Sequence, residues 1–238
     1  EIYMGDWSSD VCSSDLGVFD IDGILRGKYL SRAKFFSALE SGYGFCDVVL
    51  GWDCQDQPYD NVKFTGWHTG YPDAPVRLLP ESCRPLPFEG NGLFFLSEFA
   101  PPAEQVCPRA LLRRVLERAK GMGFDVYAGL EYEVFFFDET ADSVREKNYR
   151  NLKPMAPGWF GYSVIRNSVA ADFYRQMLAT CEAMDFGLEG LHEETGPGVI
   201  EAAITVDKAL AAADKAALFK TFIDRKSTRL NSSHPYRS

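Results

Sequence analysis

Along this 238-residue chain the apolar positions change period several times, and each change marks an element. "GVFDIDGILRGKYLS" alternates apolar and polar residues about Asp22-Gly23, which predicts a hairpin. "SRAKFFSALESGYG" sets Phe35, Phe36 and Leu39 at helical spacing between a capping Ser31 and a terminating Gly42, so it reads as a short helix. "FCDVVLGWD" reads as another strand, Cys54–Tyr71 as a long irregular stretch, and "PVRLLPESCRPLPF" and "GLFFLSEF" as further strands. The prolines of "APPAEQVCPR" interrupt both helix and central strand and place a domain boundary there. Pro108 then opens a helix whose apolar stripe is Leu111, Leu112, Val115, Leu116 and Ala119, ended by Gly121 or Gly123. "DVYAGLEYEVFFF" predicts a strand, and "ADSVREKNYRNLKPMAPGWFGYSVIR" a polar loop too long for a plain connector. "VAADFYRQMLATCEAMDF" predicts a helix, "GLEGLHEETGPGVIEAAIT" a hairpin turning on Gly196-Pro197-Gly198, and "VDKALAAADKAALFKTFI" an Ala-rich helix. The pattern as a whole is α+β.

The two ends change this picture. Back-translated, "GDWSSDVCSSDL" reads from a DNA string that resembles a short-read sequencing adapter, and "DRKSTRLNSS" reads from the reverse complement of that string. Residues 1–16 and 224–238 are therefore expected to be adapter-derived, and the natural gene to continue past Ile223. Between them, residues 17–102 are expected to form an N-terminal domain and 103–223 part of a second.

Composition narrows the function classes. Hydrophobic residues make up 46% of the chain, enough for a core, and the net charge is −9. Setting aside the two terminal segments leaves −8, an acidic surface that argues against nucleic acid. Outside those segments five cysteines are scattered without a C-x-x-C pair, as in reduced thiols of a cytoplasmic protein. No run approaches the length of a membrane helix, so no membrane partner is expected.

The candidate chemistry lies in "LEYEVFFF" and "LHEETGPGVIE". Strand alternation puts Glu131 and Glu133 on one face, where two neighbouring carboxylates repel and lose hydration. A compensating charge must lie between them, or one of them must hold a proton. Glu193 and Glu201 flank the hairpin turn and reach the same place if cross-strand pairing favours it. Such a set of hard oxygen donors suits Mg²⁺ or Mn²⁺. Against this stands a plainer reading, in which the acids sit at strand ends in solvent or in salt bridges. On that reading Glu194 is a solvated hairpin residue and His192 is structural.

These segments, with "GWD", "YPDAPVRLLP" and "GWFGYSV", resemble the glutamine synthetase family, which includes the γ-glutamyl amine ligases. The resemblance implies a β-grasp N-terminal domain, followed by the first part of a catalytic domain with a curved antiparallel sheet. It implies Glu133, Glu193 and Glu201 as ligands of one divalent cation and Glu131 as a ligand of a second. It also implies Asp53 as an acid that a neighbouring subunit contributes to the ammonium site, and Tyr162 as a residue lining that pocket. The plain alternatives are an Asx turn at Asp53 and a packed aromatic at Tyr162. The implied activity is an ATP-dependent ligase joining glutamate and ammonia through a γ-glutamyl phosphate, within a homo-oligomeric ring. The runner-up is γ-glutamylation of a polyamine or other amine, or a non-catalytic relative that binds metal or nucleotide. The turn "ETGPGVIE" and the apolar Leu191 depart from the pattern of many ammonia-using members.

Overall fold

The structure, a computed structural model, describes residues 14–89, 92–158 and 160–229. The chain divides into two compact units, Glu1–Val126 and Tyr127–Ser238. Most of the terminal segments read as adapter, residues 1–13 and 230–238, lie outside the described residues, as does Trp159 of "GWFGYSV". Residues 14–16 begin the first strand, and residues 224–229 continue the last helix.

The first unit opens with the expected hairpin, β1 (Ser14–Phe19) and β2 (Leu25–Leu30), paired antiparallel. Asp20 closes its turn, accepting hydrogen bonds at Oδ1 from the backbone of Asp22 and Ile24. Helix α1 (Arg32–Ser41) starts at Ser31, whose side chain accepts from the Lys34 amide. It stops at Gly42, whose φ of 73° only glycine adopts freely and whose amide is taken by the Ala38 carbonyl. The stretch expected as one strand divides: β3 covers Tyr43–Cys46, and Asp47–Leu50 form a 3₁₀ turn. At the change, the buried Asp47 carboxylate accepts the Thr65 hydroxyl at 2.6 Å. Strands β4 (Asp73–Leu78), β5 (Arg84–Pro85) and β6 (Leu93–Phe99) complete a six-stranded sheet. Its main path is β2-β1-β6-β4-β3, with β5 also on β6. Only the β1–β6 pairing is parallel. Phe35 and Ala38 of α1 join Leu16, Val18, Val76, Phe95 and Phe99 in the core, one helix laid on a mixed sheet as in a β-grasp.

Helix α2 (Pro108–Gly121) belongs to this unit by compactness, although it follows the proline-rich punctuation. Its expected stripe does not all face inward, since Leu111 and Val115 are each 54% exposed. Ala110 is the buried residue of the helix, and Arg109 and Arg113 reach inward to Glu98 on β6.

The second unit carries β7 (Tyr127–Ala128), β8 (Glu131–Phe135), α3 (Ala141–Glu146), α4 (Val164–Val169) and α5 (Ala171–Ala183). After these come β9 (Leu188–Glu193), β10 (Val199–Ile204), β11 (Asp207–Lys208) and α6 (Ala209–Arg229). Helices α3 and α4 lie in the stretch expected to be loop, one capped by Thr140 and Ser143 and the other by Ser163. An antiparallel sheet of order β8-β10-β9 has one face covered by helices. Ile200, Ala202 and Ile204 point there, into a core that includes Met177, Cys181, Leu218 and Phe219 from α5 and α6. Tyr132 joins them, its ring centroid 5.4 Å from that of Phe219. Among the described residues no helix is long and apolar enough to cross a membrane.

Candidate metal centre

Register decides which acids meet. Glu201 on the central strand β10 stands directly opposite Glu133 on β8 and directly opposite His192 on β9. Directly opposed residues of antiparallel strands share a face, so these three side chains stand on the face turned away from α5 and α6. Glu131, opposite Ala203 and two residues from Glu133, is on that face too. The strand therefore carries two carboxylates because that side of it is not core. Glu131 and Glu133 are exposed, while Tyr132 and Val134 between and beside them are partly buried on the other side.

Glu193 is placed differently. It pairs with Ile200, on the helix-covered face, and is 6% exposed. Burial raises its pKa above the usual carboxylate range, against the opposing pull of Arg166. The next residue, Glu194, returns to the acidic face, its amide donating to the Val199 carbonyl as the ladder closes into the turn. The turn is locked at Gly198, where φ is 75° and an added Cβ would lie 2.6 Å from the Phe136 carbonyl oxygen. The Phe136 amide donates to the Gly198 carbonyl at 2.8 Å, tying the hairpin to the end of β8.

The result is a cluster. One donor atom each from His192, Glu194 and Glu201 lie within 4.8 Å of one another. Donors around an octahedral Mg²⁺ or Mn²⁺ stand roughly 3 to 4 Å apart, so small side-chain adjustments accommodate an ion. Two observations favour one. His192 Nε2 lies 3.4 Å from Glu201 Oε2, yet it is buried with no hydrogen-bond partner among the described residues. Moreover, among the described residues no Lys or Arg forms an ion pair with Glu131, Glu133, Glu194 or Glu201. The compensating charge that clustered carboxylates require is thus not supplied by a basic side chain.

Tyr162 closes one side of this cluster. Its ring stacks on His192, with centroids 4.6 Å apart and planes 16° apart, and its amide donates to the Glu193 carbonyl at 2.8 Å. A φ of 61° is uncommon for a tyrosine and marks a conformation held by its surroundings. The nearby Glu194 carboxylate, with partial desolvation and the negative charges of Glu201 and Glu133, raises the pKa of the Tyr162 hydroxyl. Glu194 is lowered in turn, chiefly by the Thr195 amide, with Tyr162 contributing.

Asp53, in the first unit, does form an Asx turn. Its Oδ1 accepts from the amides of Gln55 at 2.8 Å and Gln57 at 3.0 Å. Of the acids singled out in the sequence, the structure thus groups Glu131, Glu133 and Glu201 on one face and turns Glu193 to the other. His192 and Glu194 share the face of Glu131, Glu133 and Glu201, and the signal for them was parity. Positions 190, 192 and 194 share a side of the strand, whereas a spacing of eight residues back from Glu201 lands on the helix-covered side.

Comparison with known proteins identifies the family of the chain. Residues 105–231 match the family model described as glutamine synthetase, catalytic domain. Type-1 glutamine synthetase 2 of Dictyostelium discoideum is 46% identical over 204 residues, 84% of this chain and 39% of that protein. A glutamate–isopropylamine ligase of a Pseudomonas species is 30% identical over 214 residues, 87% of this chain and 46% of that protein. The γ-glutamylethanolamide synthetase GlnA4 of Streptomyces coelicolor is 29% identical over 219 residues, 90% of this chain and 47% of that protein. The chain therefore spans less than half the length of these relatives. Among solved structures, a GmaS–ADP complex superposes with a TM-score of 0.75 at 18% identity, over 95% of this chain and 49% of that one. Glutamine synthetase of Plasmodium falciparum superposes with a TM-score of 0.71 at 16% identity, over 98% of this chain and 49% of that one. By its family-model match and its relatives, the chain belongs to the glutamine synthetase family.

Proposed function

We propose that the protein containing this chain is an ATP-dependent carboxylate–amine ligase, which activates the γ-carboxylate of glutamate as an acyl phosphate and joins it to ammonia. The observation that carries this reading is the acidic face of the β8-β10-β9 sheet, where carboxylates and an unpartnered imidazole nitrogen converge without a basic side chain. His192, Glu194 and Glu201 are the proposed holders of one Mg²⁺ or Mn²⁺, with Glu133 beside them across the strand pair. Glu131, one repeat further along β8, is the proposed ligand of a second cation. Divalent cations in such a site offset the negative charge of a transferring phosphoryl group. Glu193 contributes through its backbone, whose carbonyl fixes Tyr162 against His192.

The chain's own residues have two further tasks. Asp53, contributed by a neighbouring subunit of a homo-oligomeric ring, attracts the ammonium ion and accepts its proton, so that neutral ammonia attacks. Tyr162 lines the amine pocket and limits entry of water, which would otherwise consume the acyl phosphate. A second reading, γ-glutamylation of a small alkylamine, is favoured by the names of two relatives, which act on isopropylamine and form an ethanolamide.

The test is ADP release by the full-length protein with glutamate, ATP and either ammonium, isopropylamine, ethanolamine or a polyamine. The ligase reading predicts release that depends on glutamate and on one of the amines, and the preferred amine decides between the two readings. ADP release that is independent of every amine contradicts both.

A further inference from the structure

We infer that Arg26 is a positioning residue for Asp53: it clamps the loop that carries Asp53 onto the β1–β2 hairpin turn. The inference rests on the reading of Asp53 as the acid of the amine site. Asp20, in the hairpin turn, is fully buried, and its Oδ2 accepts from Arg26 Nε at 2.8 Å. The other end of the same guanidinium, Nη1, lies 2.7 Å from Asp56 Oδ1, on the loop. The guanidinium carbon sits 4.8 Å from the centroid of the Trp52 ring, the residue before Asp53. A planar fork that bonds two carboxylates and stacks on an aromatic face is work only arginine can do.

Besides Trp52, which packs against the core of the first unit, the loop has little else to hold it. Cys54, Gln55, Asp56 and Gln57 are all exposed, so no apolar side chain at the tip anchors it. Its internal bonds fix its shape. The Tyr59 amide donates to the Gly51 carbonyl at 2.9 Å, Trp52 bridges Pro58, and the Asp53 amide donates to the Gln57 carbonyl at 3.0 Å. The Asp56 amide donates to the Asp53 carbonyl at 3.0 Å, with Asp56 itself at a φ of 61°. These bonds shape the loop but do not attach it to the sheet. The Asx turn occupies Oδ1 of Asp53 and leaves Oδ2 without a hydrogen-bond partner among the described residues. Arg26 is the polar contact, beside the packing of Trp52, that ties the buried Asp20 to the loop on which Asp53 stands.

The test has two arms. In the 238-residue chain, amide hydrogen exchange reads the loop directly, whatever the protein catalyses. Arg26→Gln risks the fold because it strands the buried Asp20, so Asp56→Asn, which cuts only the loop side, is measured beside it. Exchange at the Asp53 and Tyr59 amides is expected to accelerate on the order of tenfold in both variants, with the β1 and β6 amides unchanged. In the full-length enzyme, Asp56→Asn is expected to raise the KM for the amine on the order of tenfold while the KM for ATP stays as it was. Arg26→Lys, which keeps the charge but not the fork, is expected to raise the amine KM likewise. Unchanged exchange in Asp56→Asn overturns the clamp. So does faster exchange with an unchanged amine KM, provided that Asp53→Asn does raise that KM. If Asp53→Asn leaves the amine KM alone, the reading of Asp53 falls instead, and the exchange data judge the clamp by themselves.

Discussion

Two strands of this chain each set glutamate among apolar residues, "GLFFLSEF" in the first unit and "LEYEVFFF" in the second, and they meet opposite fates. Glu98 is 1% exposed and is held by three arginines. Arg77 Nη2 and Arg113 Nη2 lie 2.9 and 2.7 Å from its Oε1, and Arg109 bonds Oε2. Burial alone would raise its pKa, but the hydrogen bonds and charges of Arg113 and Arg109 outweigh it and hold the group below the usual range. Glu131, Glu133, Glu194 and Glu201 have no such cage among the described residues; their one cationic candidate is the imidazole of His192. A carboxylate with its counter-charge built into the protein is structural. The acidic face of the second unit has no such built-in counter-charge among the described residues, which is what the proposed cation would supply.

The comparison breaks most visibly at Glu98. Glu98→Gln strands three guanidinium groups, and the expected cost is about 3–5 kcal/mol by chemical denaturation of the first unit. Glu201→Gln in the absence of divalent cation is expected to leave stability unchanged or raise it by a few tenths of a kcal/mol, because it removes like-charge repulsion across β8 and β10. A large loss in Glu201→Gln without metal would make the acidic face a structural feature like the Glu98 cage.

A smaller effect sharpens the contrast inside the second unit. Glu139 is pulled down to about 2 by hydrogen bonds from Lys147, Ser143 and the Lys153 amide. A carboxyl depressed in the folded state stabilises fully above its unfolded pKa of about 4.5, and that contribution drains away as pH falls toward about 2. Thermal unfolding between pH 5 and pH 2 is therefore expected to show a steeper acid loss in the wild type than in Lys147→Met. Equal slopes would mean that the Lys147 contact does not set the Glu139 titration.

Much of the frame was legible because local chemistry sufficed. Ser31 and Gly42 bracket α1, Asp22-Gly23 turns the first hairpin, and Gly198 turns the second, each as the side chain or φ requires. The polar stretch after β8 was less legible, although Thr140 and Ser163 are capping residues that announce α3 and α4. Local sequence chemistry does not reveal which glutamate is caged by arginine. The arginines that neutralise Glu98 lie 11, 15 and 21 residues away and arrive by tertiary packing, so the two strands look alike until the fold places α2 and β4. At the hairpin the information was present in strand parity, which separates Glu193 from His192 and Glu194, but a count of spacing alone passes over it.

A Mn²⁺ titration of this chain, followed by the loss of the free-ion EPR signal, asks whether the acidic face takes up a divalent cation. The account predicts saturable binding that is abolished in the Glu194→Gln/Glu201→Gln double variant and retained in Glu193→Gln, whose side chain is on the other face. Absence of saturable binding, or binding indifferent to the double variant, would contradict it.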